Sequence, residues 1–339
     1  MVHDLSYSNA LGLPEELVPL LVENWACEYA SLKKNGTPIT VPLITFPGED
    51  GRTIDITTGL AYPSKAERAR NNPKVCLLYS DPRATMVENP PVALVYGQAT
   101  VHDSDLQANT DRYIRTFLPQ SKGFNNIPRF ILKRMRSYFA RIWIAVTPLK
   151  ILWWPDANLE NSPKIWCAPA GTQTPLSDPK PEPRKTPFRP WLDAASDWRR
   201  EIAYAFEKLG APILTVVDEE GYPVPFRVQG GSFESDGVRL ELSPAMPTDA
   251  RGRACLTFHT LVVKNGEMAS YDNKSFVGTL SEDGELFKVK RQLGSAPMSS
   301  DLRGMLWFIR ATLRLEKRIS AEADRRGQPV PTIRFPRQY

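Results

Sequence analysis

The chain has 339 residues, which suits two domains better than one, and its 42% hydrophobic content excludes a disordered polymer. Lys+Arg (43) nearly balance Asp+Glu (38), for a net charge of +5, so composition does not point to nucleic acid. No basic segment, apolar run and small-residue cleavage site open the sequence, and no apolar stretch approaches the roughly 20 residues of a membrane helix; a cytoplasmic protein is expected.

In chain order, Pro14 to Lys34 reads as a helix, with Leu17, Leu21, Trp25, Tyr29 and Leu32 at helical spacing and Gly36 as its stop. "PITVPLITFP" reads as a strand, "GEDG" as a turn and "RTIDITTG" as the return strand. A short basic helix is expected over 64–72. Ser64 is a candidate N-cap, Glu67 stands at capping-box spacing, and Asn72-Pro73 forms the stop. Strands follow at "KVCLLYS" and "PVALVYGQATVHD", then helices around 104–118 and 127–138, then a long strand, "ARIWIAVTPLKILWW". Residues 169–190 carry seven prolines, Pro169, Pro175, Pro179, Pro181, Pro183, Pro187 and Pro190, and read as an extended linker. Trp191 to Leu209 returns to helical spacing and stops at Gly210.

The second half repeats the first in order. "LITFPGEDGRTIDI" aligns with "ILTVVDEEGYPVPF", pairing Thr45 with Thr215; "KVCLLYS" aligns with "RACLTFH", pairing Cys76 with Cys255; Gly97 aligns with Gly278. An amphipathic helix at about 301–326, with Leu302, Met305, Leu306, Ile309, Leu313 and Ile319, completes the unit. The expected fold is mainly β with flanking helices (α+β): two tandem β-barrels packed as a pseudo-dimer. The divisions are 1–168, a Pro-rich linker 169–190, and a degenerate repeat 191–339. In the second half the crossover reads "LSPAMPTDARGRACL" and lacks the Ser-Lys segment, so at most one strong site is expected.

Lys65 at the start of the basic helix, with Thr57, Thr58 and Gly59 just before it, suits an anion: free helix N–H groups and the dipole favour negative charge, and Lys65 adds a full positive one. The competing reading is a surface helix with solvated Lys65, Arg68 and Arg70. Arg227, Arg251 and Arg253 are the second-half cations that could reach a phosphate across the interface or, alternatively, be solvated or ion-paired. His259 ends an apolar strand and reads as a hydrogen-bonded strand-end histidine or, alternatively, a haem ligand. Trp143, Trp153, Trp154 and Trp166 could wall a pocket or bury the seam between the halves. "LKRMRSYFAR" reads as a solvated helix face. The four cysteines form no CxxC pair and there are only three histidines, so no metal site is expected. No catalytic dyad stands out.

"SKAERARNNPKVCLLY" resembles the phosphate-binding segment of pyridoxamine 5'-phosphate oxidase and its split-barrel flavoprotein relatives. In these, a strand ends in threonine and is followed by Ser/Arg-Lys-Ala, Asn-Pro and a hydrophobic strand. The resemblance implies a flavin, FMN, at the interface of two split β-barrels, with Lys65 on its phosphate and Thr57 or Thr58 near the ribityl-phosphate contacts. Ser64 stands where many relatives have arginine. Thr40 and Thr45 replace an arginine and a lysine, and the C-terminal "PVPTIRFPRQY" lacks the arginine–histidine signature, all of which speaks against the oxidase reaction itself. The expectation is an FMN-dependent oxidoreductase acting on a small molecule. Its site comprises Thr57, Thr58, Gly59, Ser64, Lys65 and Arg253, and reduced nicotinamide is a candidate donor. A deazaflavin, haem through His259, or a non-catalytic binding module are the alternatives; the chain would be a monomeric pseudo-dimer or a homodimer.

Overall fold

The structure is a computed structural model that describes residues 8–22, 24–121, 127–184, 197–242, 251–264, 267–294 and 315–335. The first half runs α1 (Val18–Val22), β1 (Cys27–Leu32), β2 (Pro38–Leu43), β3 (Phe46–Pro47), β4 (Ile54–Gly59), α2 (Ser64–Asn71), β5 (Lys74–Tyr79), β6 (Val92–His102), α3 (Leu106–Phe117), α4 (Arg129–Leu132), α5 (Arg136–Phe139), β7 (Arg141–Trp154) and β8 (Lys164–Cys167). The second runs α6 (Trp198–Leu209), β9 (Ile213–Val217), β10 (Pro223–Arg227), β11 (Gly230–Phe233), β12 (Gly237–Glu241), β13 (Gly252–Lys264), β14 (Glu267–Leu280) and β15 (Leu286–Leu293), followed by helical residues 315–324, here α7.

The two antiparallel sheets have the same strand order. One is β2-β1-β5-β6-β7-β4-β3, with β8 added on β7; the other is β10-β9-β13-β14-β15-β12-β11. Cys76 lies opposite Ala30 and Tyr96, and Cys255 lies opposite Thr215 and Val277, so these cysteines occupy equivalent places. Both halves also shift register at an equivalent point, at Tyr96/Gly97 and at Val277/Gly278. A bulge bends and twists its strand, and here it demands glycine. A Cβ on Gly97 would come 2.8 Å from the Thr147 carbonyl, and one on Gly278 would run into the Lys288 carbonyl.

The equivalence corrects the sequence alignment in one place. "ILTVVDEEGYPVPF" forms β9 and β10, which correspond to β1 and β2, not to the β3–β4 hairpin formed by "LITFPGEDGRTIDI". Thr215 is therefore the counterpart of Ala30. The first half has two hairpins, consecutive in sequence but at opposite ends of the sheet order, and residue similarity alone selected the wrong one.

The helix expected over Pro14–Lys34 is also corrected. A short 3-10 turn at Glu15–Leu17 and α1 are helical, whereas Tyr29 and Leu32 belong to β1. All six β1 residues are buried, so the strand sits between two packed faces and shows no polar alternation to betray it. The helices expected at 104–118 and 127–138 appear as α3 and as the short α4 and α5; the Pro-rich segment has no regular element over 168–184. Residues 191–196, most of the second crossover (243–250) and residues 301–314 lie outside the described residues.

The halves share a core. Ala30, Cys76, Leu78, Leu94 and Trp154 pack with Val224, Phe226, Leu256 and Phe276. Thr40 Oγ1 meets Thr215 Oγ1 across the seam. The halves are also joined by exchange. Leu315, Ile319 and Ala323 of α7 lie in the first half's core, with Ala66 and Ala69 of α2. A buried ion-pair set fixes that docking: Asp103 binds Arg70 and Arg326 at 2.6 and 2.8 Å, Glu322 binds Arg184, Arg325 and Arg326, and Glu67 binds Arg184 and Arg325.

Candidate functional site

The site is built around α2. Its residues fall into stripes three apart, which is how a helix groups its side chains. Ala66 and Ala69 are buried in the barrel. Glu67 and Arg70 face the ion-pair set just described. Lys65 and Arg68 form the third stripe, and among the described residues neither makes an ion pair.

The start of α2 departs from expectation. The N-cap position is Pro63, no side-chain hydrogen bond caps the helix, and Ser64 is its first residue. Glu67 cannot complete a capping box because it is committed to Arg184 and Arg325. The first turn is thus left with its N–H groups uncapped by side chains and with Lys65 beside them. At the other end, Asn72 is extended before Pro73, as expected.

Lys65 has cationic neighbours. Although it is only half-buried, desolvation, followed by the charges of Arg68 and Arg141, lowers its pKa to about 7. Arg141 lies opposite Gly59 in the β4–β7 pair, which explains its arrival beside Lys65. Its guanidinium stacks 4.1 Å from the Tyr113 ring centroid and donates to the Tyr113 hydroxyl at 2.9 Å, and its Nε is buried without a partner. A Cβ on Gly59 would lie 3.3 Å from Tyr62 Cδ2 and in ordinary contact, 3.7 Å, with Arg141 Nη1, so it is the Tyr62 ring that glycine accommodates. Arg68 donates from Nε to Ser31 Oγ at 2.9 Å, its Nη2 is buried and unpartnered, and burial lowers its pKa.

The other expected residues are placed as follows. Thr58 is buried, and its hydroxyl donates to the Tyr62 carbonyl at 2.7 Å, so it shapes the β4–α2 turn. Thr57 lies opposite Trp143 and keeps partial exposure. Arg253 is exposed at the start of β13 and donates from Nη1 to the Asn35 carbonyl at the tip of the β1–β2 hairpin, and no contact joins it to Lys65.

Arg227 does cross between the halves, but onto a carboxylate: it donates to Glu28 Oε1 at 2.9 Å and to Ser80 Oγ at 3.1 Å. His259, 1% exposed, shares the same Glu28 oxygen at 2.8 Å. The ring is hydrogen-bonded through Nε2, as the sequence reading had it, but it lies within β13 and not at a strand end, because the strand continues to Lys264. The tryptophans serve separate places. Trp154 is in the core shared by the halves, Trp153 in the first barrel's core, and Trp143 stacks on Phe46 and donates to Asp55; Trp166 is held by the Gly12 carbonyl. No group of three His, Cys, Asp or Glu side chains suited to a metal occurs among the described residues.

Sequence reasoning passed over Arg141, which ended a stretch read as a solvated helix face, and left Arg68 among solvated cations. Only strand pairing brings Arg141 to Gly59. For Arg68 a signal was present: it follows Lys65 by three residues, so the two share a helix face.

Each sheet is a half-barrel, each has the same strand order, and the helices flank both. The chain is a tandem split barrel. No family model matches the sequence, and no curated protein matches it. Among solved structures, this split barrel is similar to an F420 reductase, with 18% identity over 41% of this chain and 98% of that one (TM-score 0.30). It is also similar to a putative pyridoxamine 5'-phosphate oxidase from Listeria innocua, with 19% identity over 39% and 89% (TM-score 0.26). A pyridoxamine 5'-phosphate oxidase-related, FMN-binding protein from Nostoc punctiforme shows 13% identity over 38% and 73% (TM-score 0.26). No helix among the described residues is long and apolar enough to cross a membrane.

Proposed function

We propose that the protein binds a phosphorylated flavin-type cofactor, FMN, beside the first turn of α2 and acts as a flavin-dependent oxidoreductase on a small molecule. The observation that carries this reading is the convergence of Lys65, Arg68 and Arg141 with, among the described residues, no carboxylate paired to any of them. The one acid of α2, Glu67, is already neutralised by Arg184 and Arg325. Three cations held together without a counter-ion repel one another, and a bound phosphate removes that cost. The buried, unpartnered Arg141 Nε fits the same group, because it is a donor awaiting an acceptor.

When bound, a flavin supplies hydride acceptance and electron transfer, and the protein's part is binding, orientation and exclusion of water. In this chain Lys65 and Arg141 would hold the phosphate, the α2 N–H groups would add dipolar attraction, and Thr58 and Gly59 would fix the close-packed turn beside it. That division of labour needs no catalytic dyad. Reduced nicotinamide is the proposed electron donor. The ultraviolet–visible spectrum of the purified protein, before and after addition of FMN, tests the reading. A flavin spectrum or saturable uptake is expected; failure of both overturns it. Competition between FMN and a deazaflavin then decides which ring system is preferred.

A further inference from the structure

The cations do not stop at Lys65. Arg68 leans away from α2 onto Ser31, a fully buried residue near the end of β1. Lys33 follows two residues later, on the same side by strand alternation, where its N–H closes the β1–β2 hairpin on the Thr37 carbonyl. Ser31 lies opposite Ile39 in β2, and Ile39 packs across the seam on Cys255 and Val277. Val277 in turn lies opposite Arg291 in β15. Directly opposed residues of an antiparallel pair present their side chains on one face. Arg291 therefore projects toward the first half, beside the very strand pair on which Arg68 and Lys33 sit. Leu293, two residues along β15, packs against the same apolar cluster and fixes that facing. Among the described residues, Lys33, Arg68 and Arg291 have no ion-pair partner, whereas Arg227, another arginine that crosses the seam, has Glu28.

We propose that Lys33, Arg68 and Arg291 form a second anion subsite at the seam, contributed by both halves, which takes a carboxylate or phosphate group other than the phosphate held by Lys65 and Arg141. Its assignment to the substrate, which makes the substrate class acidic small molecules, rests on the flavin reading; its existence does not. Burial, followed by the charges of Arg291 and Arg68, lowers the Lys33 pKa, as expected for cations gathered without a counter-ion.

The test is calorimetric titration of the full chain, loaded with FMN, with inorganic phosphate and with oxalate in parallel. At least one of the two is expected to bind the loaded protein; stronger phosphate binding identifies a phosphate-bearing substrate and stronger oxalate binding a carboxylate. Lys33→Ala and Arg291→Ala are expected to weaken that binding at least about tenfold, the loss of one charge-assisted contact, while leaving FMN affinity within about twofold. The subsite is overturned if neither anion binds the loaded protein, or if these two variants weaken FMN as much as Lys65→Ala does. If FMN is not taken up at all, the flavin reading fails separately. The same titration of the unloaded chain then decides the subsite by whether Arg291→Ala removes anion binding that Lys65→Ala leaves intact.

Discussion

Two sides of one eight-residue helix carry the lesson of this molecule. Glu67 and Arg70 of α2 enter a set of ion pairs in which Arg184, Arg325 and Arg326 are each matched to Glu67, Glu322 or Asp103. Lys65 and Arg68, one stripe away, have Arg141 and Lys33 as charged neighbours and, among the described residues, no ion-pair partner. Both sides are rich in arginine and both are partly desolvated. One has its counter-ions in the chain, so it is structural. Among the described residues the other lacks them, which is costly for a fold and useful for a ligand. Composition could not separate the two, because both sides draw on the same basic segment, "SKAERAR".

The largest effect should come from the neutralised side. Asp103→Ala leaves Arg70 and Arg326, 6% and 2% exposed at the side chain, without their shared carboxylate. Removing one partner of a buried ion pair costs about 3–5 kcal/mol, to be read by urea unfolding. A loss below about 1 kcal/mol would remove the distinction between the two sides. Next, Lys65→Ala should weaken FMN binding by about 1.5–3 kcal/mol, the range of a charge-assisted contact, measured by fluorescence titration. It should leave unfolding stability unchanged or raised, since a repelled charge is removed.

The pH dependences should also oppose each other. Burial pushes the Glu67 carboxyl up, but Arg184 and Arg325 more than offset it, so its pKa ends below 4.5. Its contribution to stability is present above the ordinary carboxylate value and is lost as pH falls through the lower folded one. Lys65 runs the other way. Below about 7 it is charged in both folded and unfolded states, and the folded state carries the full cost. Between about 7 and the ordinary 10.5 the unfolded chain binds more protons, so stability rises with pH there. Comparing wild type with Lys65→Met across that range isolates the effect; parallel curves would contradict it. The smallest change belongs to Arg253→Ala. Its exposed bond to the Asn35 carbonyl should be worth about 0–1 kcal/mol in unfolding experiments, with FMN affinity unaltered.

Much of this was legible before the fold was known. The α2 segment, the two β-rich halves, the equivalence of Cys76 with Cys255 and the glycines at both bulges all follow from local pattern. What local pattern hid has a common cause. β1 is buried on both faces, so its apolar spacing imitated a helix. The capping box at Ser64 was outcompeted by arginines far along the chain. Arg141 and Arg291 reach the other cations only through strand pairing, and the sheet brings them there by contacts no short window contains.

Exchange of α7 has a consequence for biosynthesis. Domains commonly complete themselves in order as a chain is made, the first before the second. Here the earlier barrel lacks Leu315, Ile319 and Ala323 until the later barrel has been translated. Until then, the face of α2 that those residues cover stays open, and the barrel begun first is sealed last. Nascent chains halted after the second sheet should therefore remain protease-sensitive in the first one, a vulnerability that a pair of independently folding halves would not have.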